Sequence, residues 1–308
     1  MLYFCPDIYK DGCRSICKNL DKNRRNIKES RLYILTAFYF YSIVMAKKTF
    51  HSELFKFAVF PRYEDSITYL ADTLAAKETW DFSDKTTKNN SILKNYLEFM
   101  FRKLQQEKKV VFTVGNKFAC FNTGLVTENL EDIFAFFEEY KNPKQGFTTP
   151  FCFKGFIKKS DNILLKHFSH SIPEIANFFD KPELLIFNPK CDLIPDLDHI
   201  IGDNLSRFPA HLQSADDAEL RRQLVGAIDE ARKKVRSNYK VAIPQYYDNK
   251  IQLLLPLCLT SGSTNPDLAL VVHKLNDITY TARTCLTLKM AYNNARLIVK
   301  PQSDWLIP

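Results

Sequence analysis

The chain reads as an α+β protein, in which N-terminal helices and a hairpin pack with a C-terminal four-stranded antiparallel meander and its helices. Three observations predict this. Between Val241 and Ala282, four short runs rich in β-branched and aromatic residues alternate with turn residues. Two stretches, Ser91 to Gln106 and Asp217 to Arg236, carry apolar residues at helical spacing. A third, Lys109 to Asn122, holds two extended runs about a Gly115-Asn116 turn.

Residues 1–44 differ from the rest. They hold 8 Lys/Arg against 4 Asp/Glu, which is a surplus of 4 out of the chain's +8, so the remaining residues are only mildly basic. Cys5, Cys13 and Cys17 lie in a polar segment that precedes an apolar run, Leu32 to Ala46. That run is short for a membrane span, which needs about 20 residues. A basic region before an apolar one also suggests a signal peptide, but Lys47-Lys48 follows without an A-x-A cleavage pattern. Met45-Ala46-Lys47-Lys48 reads as an ordinary cytosolic start, so the expectation is an atypical extension over 1–44 and a single domain over 45–308. A membrane contact is expected only if residues 32–46 act as an anchor. Within 45–308, the candidate divisions between sub-lobes are 141–149 and 210–217. Beyond the prefix, Cys120, Cys152, Cys191, Cys258 and Cys285 are odd in number and set in apolar runs, which fits free thiols of a reducing, cytoplasmic compartment.

In order, the first helix is expected over Asp65 to Lys77, with Ile67, Leu70 and Leu74 inward, and the second over Ser91 to Gln106. After the hairpin, Asn129 to Tyr140 is read as a helix with an aromatic core stripe. Residues 148–168 read as short extended pieces, Pro173 to Phe179 as a short helix and Leu184 to Phe187 as a strand. A loop then runs through Asp192 and Asp196 to His199. The helix Asp217 to Arg236 turns Leu220, Leu224, Ile228, Ala231 and Val235 inward, and its basic residues form either a solvated face or a phosphate-tracking ridge. In the meander, Pro244 demotes the first strand to an edge, and Asp248-Asn249 supply the first turn. The last helix, Leu286 to Leu297, is expected to bury Leu286, Met290, Asn293 and Leu297.

Chemistry-bearing motifs are few. With 8 glycines the chain has neither G-x-G-x-x-G nor a Walker A pattern, and C-x-x-C, H-E-x-x-H and G-x-S-x-G are also missing. No metal site is expected, and the residues name no cofactor. His199 is a candidate acid or base and Arg207 a bidentate phosphate clamp, with Asp203 and Asn204 placed to orient either; the alternative is that His199 and Asp203 cap and hydrogen-bond a surface loop. Gln245, Gln252 and Asn294 raise one question of buried amides. They either tie loops to the sheet or line a polar pocket that reads a ligand.

Taken as a set, Ile92-Leu93-Lys94-Asn95-Tyr96-Leu97, Phe121-Asn122-Thr123-Gly124-Leu125, Arg207-Phe208-Pro209, Ala242-Ile243-Pro244-Gln245, Gln252 to Leu257 and Met290 to Arg296 are specific. From Leu70 to Trp305 the chain resembles a mainly bacterial family known as domain of unknown function 3825. Some of its members carry cold-shock-type modules, so the resemblance implies an RNA-related context. It brings no catalytic residues. Its polar positions here include Asn122, Asn204, Arg207, Asn238, Lys240, Gln245, Gln252, Asn294 and Arg296, a set suited to holding a phosphate-bearing ligand. The leading expectation is therefore an RNA- or nucleotide-binding module whose partner is single-stranded RNA or a nucleotide. Arg207, Lys240 and Arg296 would neutralise phosphate, while Gln245, Gln252 and Asn294 would read base or sugar. The rivals are an enzyme of nucleotide or RNA phosphate chemistry, with His199 as acid/base and Asp267 orienting it, and a non-catalytic scaffold.

Overall fold

Among the described residues, ten short strands pair into two five-stranded sheets. The computed structural model describes residues 53–83, 87–141, 149–263 and 265–308. The expectations for residues 1–44, with their three cysteines and apolar run, lie outside the described residues. Leu54–Pro308 forms one compact unit.

The elements run α1 (Glu53–Phe57), β1 (Ala58–Val59), α2 (Tyr63–Tyr69), α3 (Ser91–Gln106), β2 (Val111–Phe112), β3 (Phe118–Val126), β4 (Asp132–Glu139), β5 (Phe151–Lys158) and α4 (Asn162–Phe168). They continue with β6 (Asp192–Pro195), α5 (Leu197–Asn204), α6 (Asp217–Ser237), β7 (Ile243–Tyr247), β8 (Lys250–Leu257), β9 (Leu268–Lys274), β10 (Thr279–Thr287) and α7 (Leu288–Arg296). The first sheet has the order β1-β5-β4-β3-β2 and the second β6-β10-β9-β8-β7. Each is antiparallel except for one parallel edge strand, β1 on β5 and β6 on β10. The α+β class is therefore what the chain adopts. The N-terminal half, however, holds a full sheet rather than a hairpin among helices, and the meander gains β6 as a fifth strand.

Burial sets a layered order. One face of the first sheet, with Phe121, Ile133 and Phe137, shares a core with α3, α7 and Ile243, Leu254 and Val271 of the second sheet. The outer face of the first sheet packs Phe134 and Phe136 on Leu164 and Phe168 of α4. The outer face of the second packs Leu253, Leu255 and Leu270 on Leu220, Leu224 and Ile228 of α6 and Ile200 of α5. The layers thus run α4, first sheet, α3 with α7, second sheet, α5 with α6.

Several segments differ from expectation for identifiable reasons. The stretch 129–140, expected as a helix, holds the strand β4 (Asp132–Glu139), where Ile133, Phe134, Ala135, Phe136 and Phe137 are all buried, on alternating faces. A strand buried on both sides reads as a continuous apolar run, which periodicity alone does not distinguish from a helix. Pro173 to Phe179 is irregular; Asn177 Oδ1 accepts from Phe179 N at 2.9 Å, and Glu107 accepts from Asn177 N at 3.0 Å. Such local side-chain bonds compete with a helical ladder. Leu184 to Phe187 is not a strand; a 3-10 turn, Pro182–Leu185, opens on proline. The expected loop before His199 is β6 followed by α5, whose N-terminus is capped by Asp196 accepting from His199 N at 3.2 Å. Of the expected extended pieces over 148–168, the described residues 149–168 form β5 and α4, with Asp161 capping α4.

The last helix also turns a different face inward. Thr287 caps it, so Leu286 remains in β10, and the buried helical residues are Ala291, Tyr292, Ala295 and Arg296. Met290 is 40% exposed.

Candidate functional site

The expected site residues fall into separate groups. Arg296 is buried, and its Nε and Nη2 donate to Glu78 Oε1 and Oε2 at 2.6 and 2.9 Å. Its guanidinium lies 5.0 Å from the Trp80 ring centre and 4.7 Å from that of Tyr96. The phosphate role expected of Arg296 does not fit this enclosure. Asn122 is likewise structural: it sits at the β3 bulge, where its Oδ1 accepts from Gly124 N at 2.9 Å. There Tyr96 Oη donates to Thr123 O at 2.9 Å, and a Cβ on Gly124 would lie 2.7 Å from that hydroxyl. The Phe121 to Leu125 motif is therefore a device for bending β3 under α3.

Asn204 and Arg207 do come together, but against β10 rather than toward an open clamp. Asn204 Oδ1 accepts from Arg207 Nη1 and from Thr284 Oγ1, the latter at 2.8 Å, and Arg207 Nη1 also donates to Cys285 O. The contacts hold Thr284 and Cys285, directly after the register shift between Ala282 and Thr284. Burial pushes the neighbouring Cys285 thiol up to about 12, against a smaller opposite influence of Arg207. Cys120, Cys152, Cys191, Cys258 and Cys285 are all free thiols, and three of them (Cys120, Cys191 and Cys285) are buried.

His199 lies half-exposed on α5, with Nδ1 at 3.2 Å from Asp203 Oδ2 one turn later. Asp267, expected to orient His199, instead fastens the β8–β9 loop. Its Oδ2 accepts from Leu259 N and Thr260 N at 2.7 and 2.8 Å, and its Oδ1 from Thr260 Oγ1 at 2.9 Å. Asn238 ends α6 and accepts from Lys240 N at 3.1 Å, leaving Lys240 on an exposed turn. On α6 itself, Arg222, Lys233 and Lys234 pair with Glu219, Asp229 and Glu230 along the helix, and Arg221 reaches Asp198 on α5. These pairs fit a solvated face. No group of three or more metal-binding side chains occurs among the described residues.

Three expected residues do converge. Asn294 Nδ2 on α7 donates to Gln245 Oε1 on β7 at 3.1 Å, and Gln245 Nε2 donates to Gln252 Oε1 on β8 at 3.0 Å. The register Gln245↔Gln252 makes this a cross-strand pair on the face that also carries Ile243 and Leu254. Gln245 is 1% exposed, whereas Gln252 and Asn294 are half-buried. The amide chain thus runs from α7 across β7 to β8, with its middle residue buried and its two ends half-buried.

Beside it lies a groove of about 120 Å³ between α3, through Phe99, Arg102 and Lys103, and the β7–β8 turn, through Tyr246, Tyr247, Asp248 and Asn249. Asp248 and Asn249 both take positive φ, 49° and 59°, as a two-residue turn with a left-handed backbone demands. Lys103 Nζ sits 4.9 Å from the Tyr246 ring centre and 2.9 Å from Glu107 Oε1. Tyr247 is 50% exposed and shares the face of Gln245 by the two-residue period of the strand. Gln245, Gln252 and Asn294, expected together, do meet, whereas Phe99, Arg102 and Lys103, which line the groove, are not among the expected residues. Their signal was only an aromatic residue followed by two bases on the outer side of a helix. Trp305 closes the start of β7 by donating Nε1–H to Val241 O at 2.9 Å.

The fold and this region define a class: an α+β protein with two mixed sheets, one of them presenting an amide-bearing face next to an aromatic and basic groove. Residues 71–305 match the family described as Domain of unknown function (DUF3825), and the chain belongs to that family. No curated protein and no solved structure matches it. No helix among the described residues is long and apolar enough to cross a membrane.

Proposed function

We propose that the protein is an RNA- or nucleotide-binding module whose ligand lies along the open end of the second sheet. The supporting observation is the directed amide chain Asn294–Gln245–Gln252 emerging beside the half-exposed Tyr247 ring. Amides offer paired donors and acceptors to a base edge, an aromatic ring offers a stacking surface, and cations follow the phosphates. On this reading Lys250, opposite Tyr247 in the hairpin, and Lys103 take the phosphate role. Arg207 and Arg296 hold the protein itself together.

The test is fluorescence anisotropy of labelled single-stranded RNA against the full chain at low and moderate salt. Binding should weaken steeply as salt rises, because phosphate contacts release counterions. Tyr247→Ala should remove roughly 1–3 kcal/mol of binding, the typical worth of one stacked base. Absence of binding at low salt would exclude the reading.

A further inference from the structure

The inner face of the second sheet is covered over only part of its length. Ile243, Leu254 and Val271 lie in the core that they share with α3 and α7. Two residues further along, the same face carries a row that crosses all five strands. Gln245 pairs with Gln252, and the pairing of Leu253 with Val272 sets Gln252 opposite His273. His273 in turn pairs with Thr281, and Thr281 with Ile194 of β6.

Exposure rises along that row. Gln245 is 1% exposed, Gln252, His273 and Thr281 are half-buried, and Ile194 is 60% exposed although Leu193 beside it is buried on the opposite face. At the β7 edge Tyr247 shares the face and is 50% exposed. Two large apolar side chains thus stand in solvent at opposite edges of one face, with half-open polar residues between them. Single exposed apolar residues are ordinary, but two that bracket a polar row mark a surface with a partner. Lys250, opposite Tyr247, is exposed with no acidic partner among the described residues, and it acts electrostatically on His273. Arg102 and Lys103 line the groove at the same edge, and Asp192 stands at the other, on β6. The partner is therefore anionic where it meets β7 and β8.

We propose that this face is a platform for a single-stranded RNA segment of about three nucleotides laid across the strands, from Tyr247 to Ile194. This rests on the nucleotide-binding reading above and narrows its ligand from a nucleotide to an oligonucleotide. Four steps between neighbouring strands separate the two residues, about 19 Å at roughly 4.8 Å per step, which is beyond the reach of one nucleotide. A four-stranded face used in this way stacks about two or three bases. The phosphates gather at the Lys250 edge, the polar row meets the middle of the segment, and Ile194 takes the face of the last base.

The experiment displaces fluorescein-labelled hexauridylate from the full chain at one low salt concentration. The competitors are uridine monophosphate and oligouridylates that grow by single nucleotides to the hexamer. Affinity should rise about tenfold with each added nucleotide up to the third and then level off, as expected of bases that stack one by one. Ile194→Asp, at an exposed edge position, should weaken the trimer and hexamer about tenfold and leave the monophosphate unchanged. Displacement by the monophosphate as readily as by the trimer would overturn the platform while leaving nucleotide binding in place. A trimer indifferent to Ile194→Asp would overturn the path to β6 in the same way. Hexauridylate failing to bind would overturn both readings, and a dimer in sedimentation that Ile194→Asp dissolves would then make a second copy of the chain the occupant of the face.

Discussion

Arg296 and Glu78, 218 positions apart, share two hydrogen bonds of 2.6 and 2.9 Å, with their side chains 9% and 8% exposed. The pair ties α7 to the segment between α2 and α3, and the guanidinium lies between Trp80 and Tyr96. Such a planar cation can satisfy a carboxylate bidentately and still present its faces to rings, which a lysine cannot.

Breaking one side of this pair leaves an uncompensated buried charge. Glu78→Ala should therefore lower stability by about 3–5 kcal/mol, read from urea unfolding. Glu78→Leu combined with Arg296→Met should recover much of that loss, since a packed apolar pair avoids the desolvation. An unchanged urea midpoint for Glu78→Ala would disprove the tie.

Gly124→Ala should destabilise through two effects at one position. The residue holds φ at +73°, and the new Cβ would meet Tyr96 Oη at 2.7 Å. Backbone strain of this kind is worth about 1–3 kcal/mol. Thermal unfolding checks it, and Tyr96→Phe in the same chain should relieve only the contact, leaving the backbone component.

Acid should weaken the fold through His273. Burial, and secondarily Lys250, hold its pKa below the ordinary 6.5. The unfolded chain therefore binds a proton more readily than the folded one, so stability rises with pH in this range. The contribution is complete above 6.5 and is lost as pH falls through the lower, folded-state value. His273→Gln should flatten the stability curve below 6.5; an identical slope in both proteins would exclude His273 as a source. His167 is shifted in the same direction, by burial and then Lys166, and should keep part of the acid sensitivity.

Arg207→Ala should reduce stability without changing RNA affinity per folded molecule. Its Nη1 serves Asn204, Thr284 and the Cys285 carbonyl, all within the protein. Removing a charged donor leaves those acceptors short of a partner, at about 1–3 kcal/mol. Loss of affinity at full folding would return Arg207 to the ligand.

Local signals were legible wherever one surface of an element faces water. The helix Ser91–Gln106 has the bounds that its apolar spacing indicates, and Asp248-Asn249 turns as its residue types require. Pro244 lies on β7, an edge strand of the second sheet. By contrast β4 was hidden, because burial on both faces erases the alternation that marks a strand. The polar residues of the family motifs were visible as a set, yet their roles divide. Arg296 and Asn122 serve the fold, while Gln245, Gln252 and Asn294 meet. Nothing in the residue types separates the two, since an amide that caps a bulge and one that faces a ligand have the same chemistry.

The sequence by itself determined the α+β class, the meander's turns, the free thiols and the family, because these depend on residue type and spacing along a few consecutive positions. Only the tertiary structure decided that a second full sheet exists, that Arg296 is consumed by Glu78, and that Asn294, Gln245 and Gln252 meet. Each of those depends on strands or helices distant in the chain being brought into register, and register is set by the packed core between the sheets.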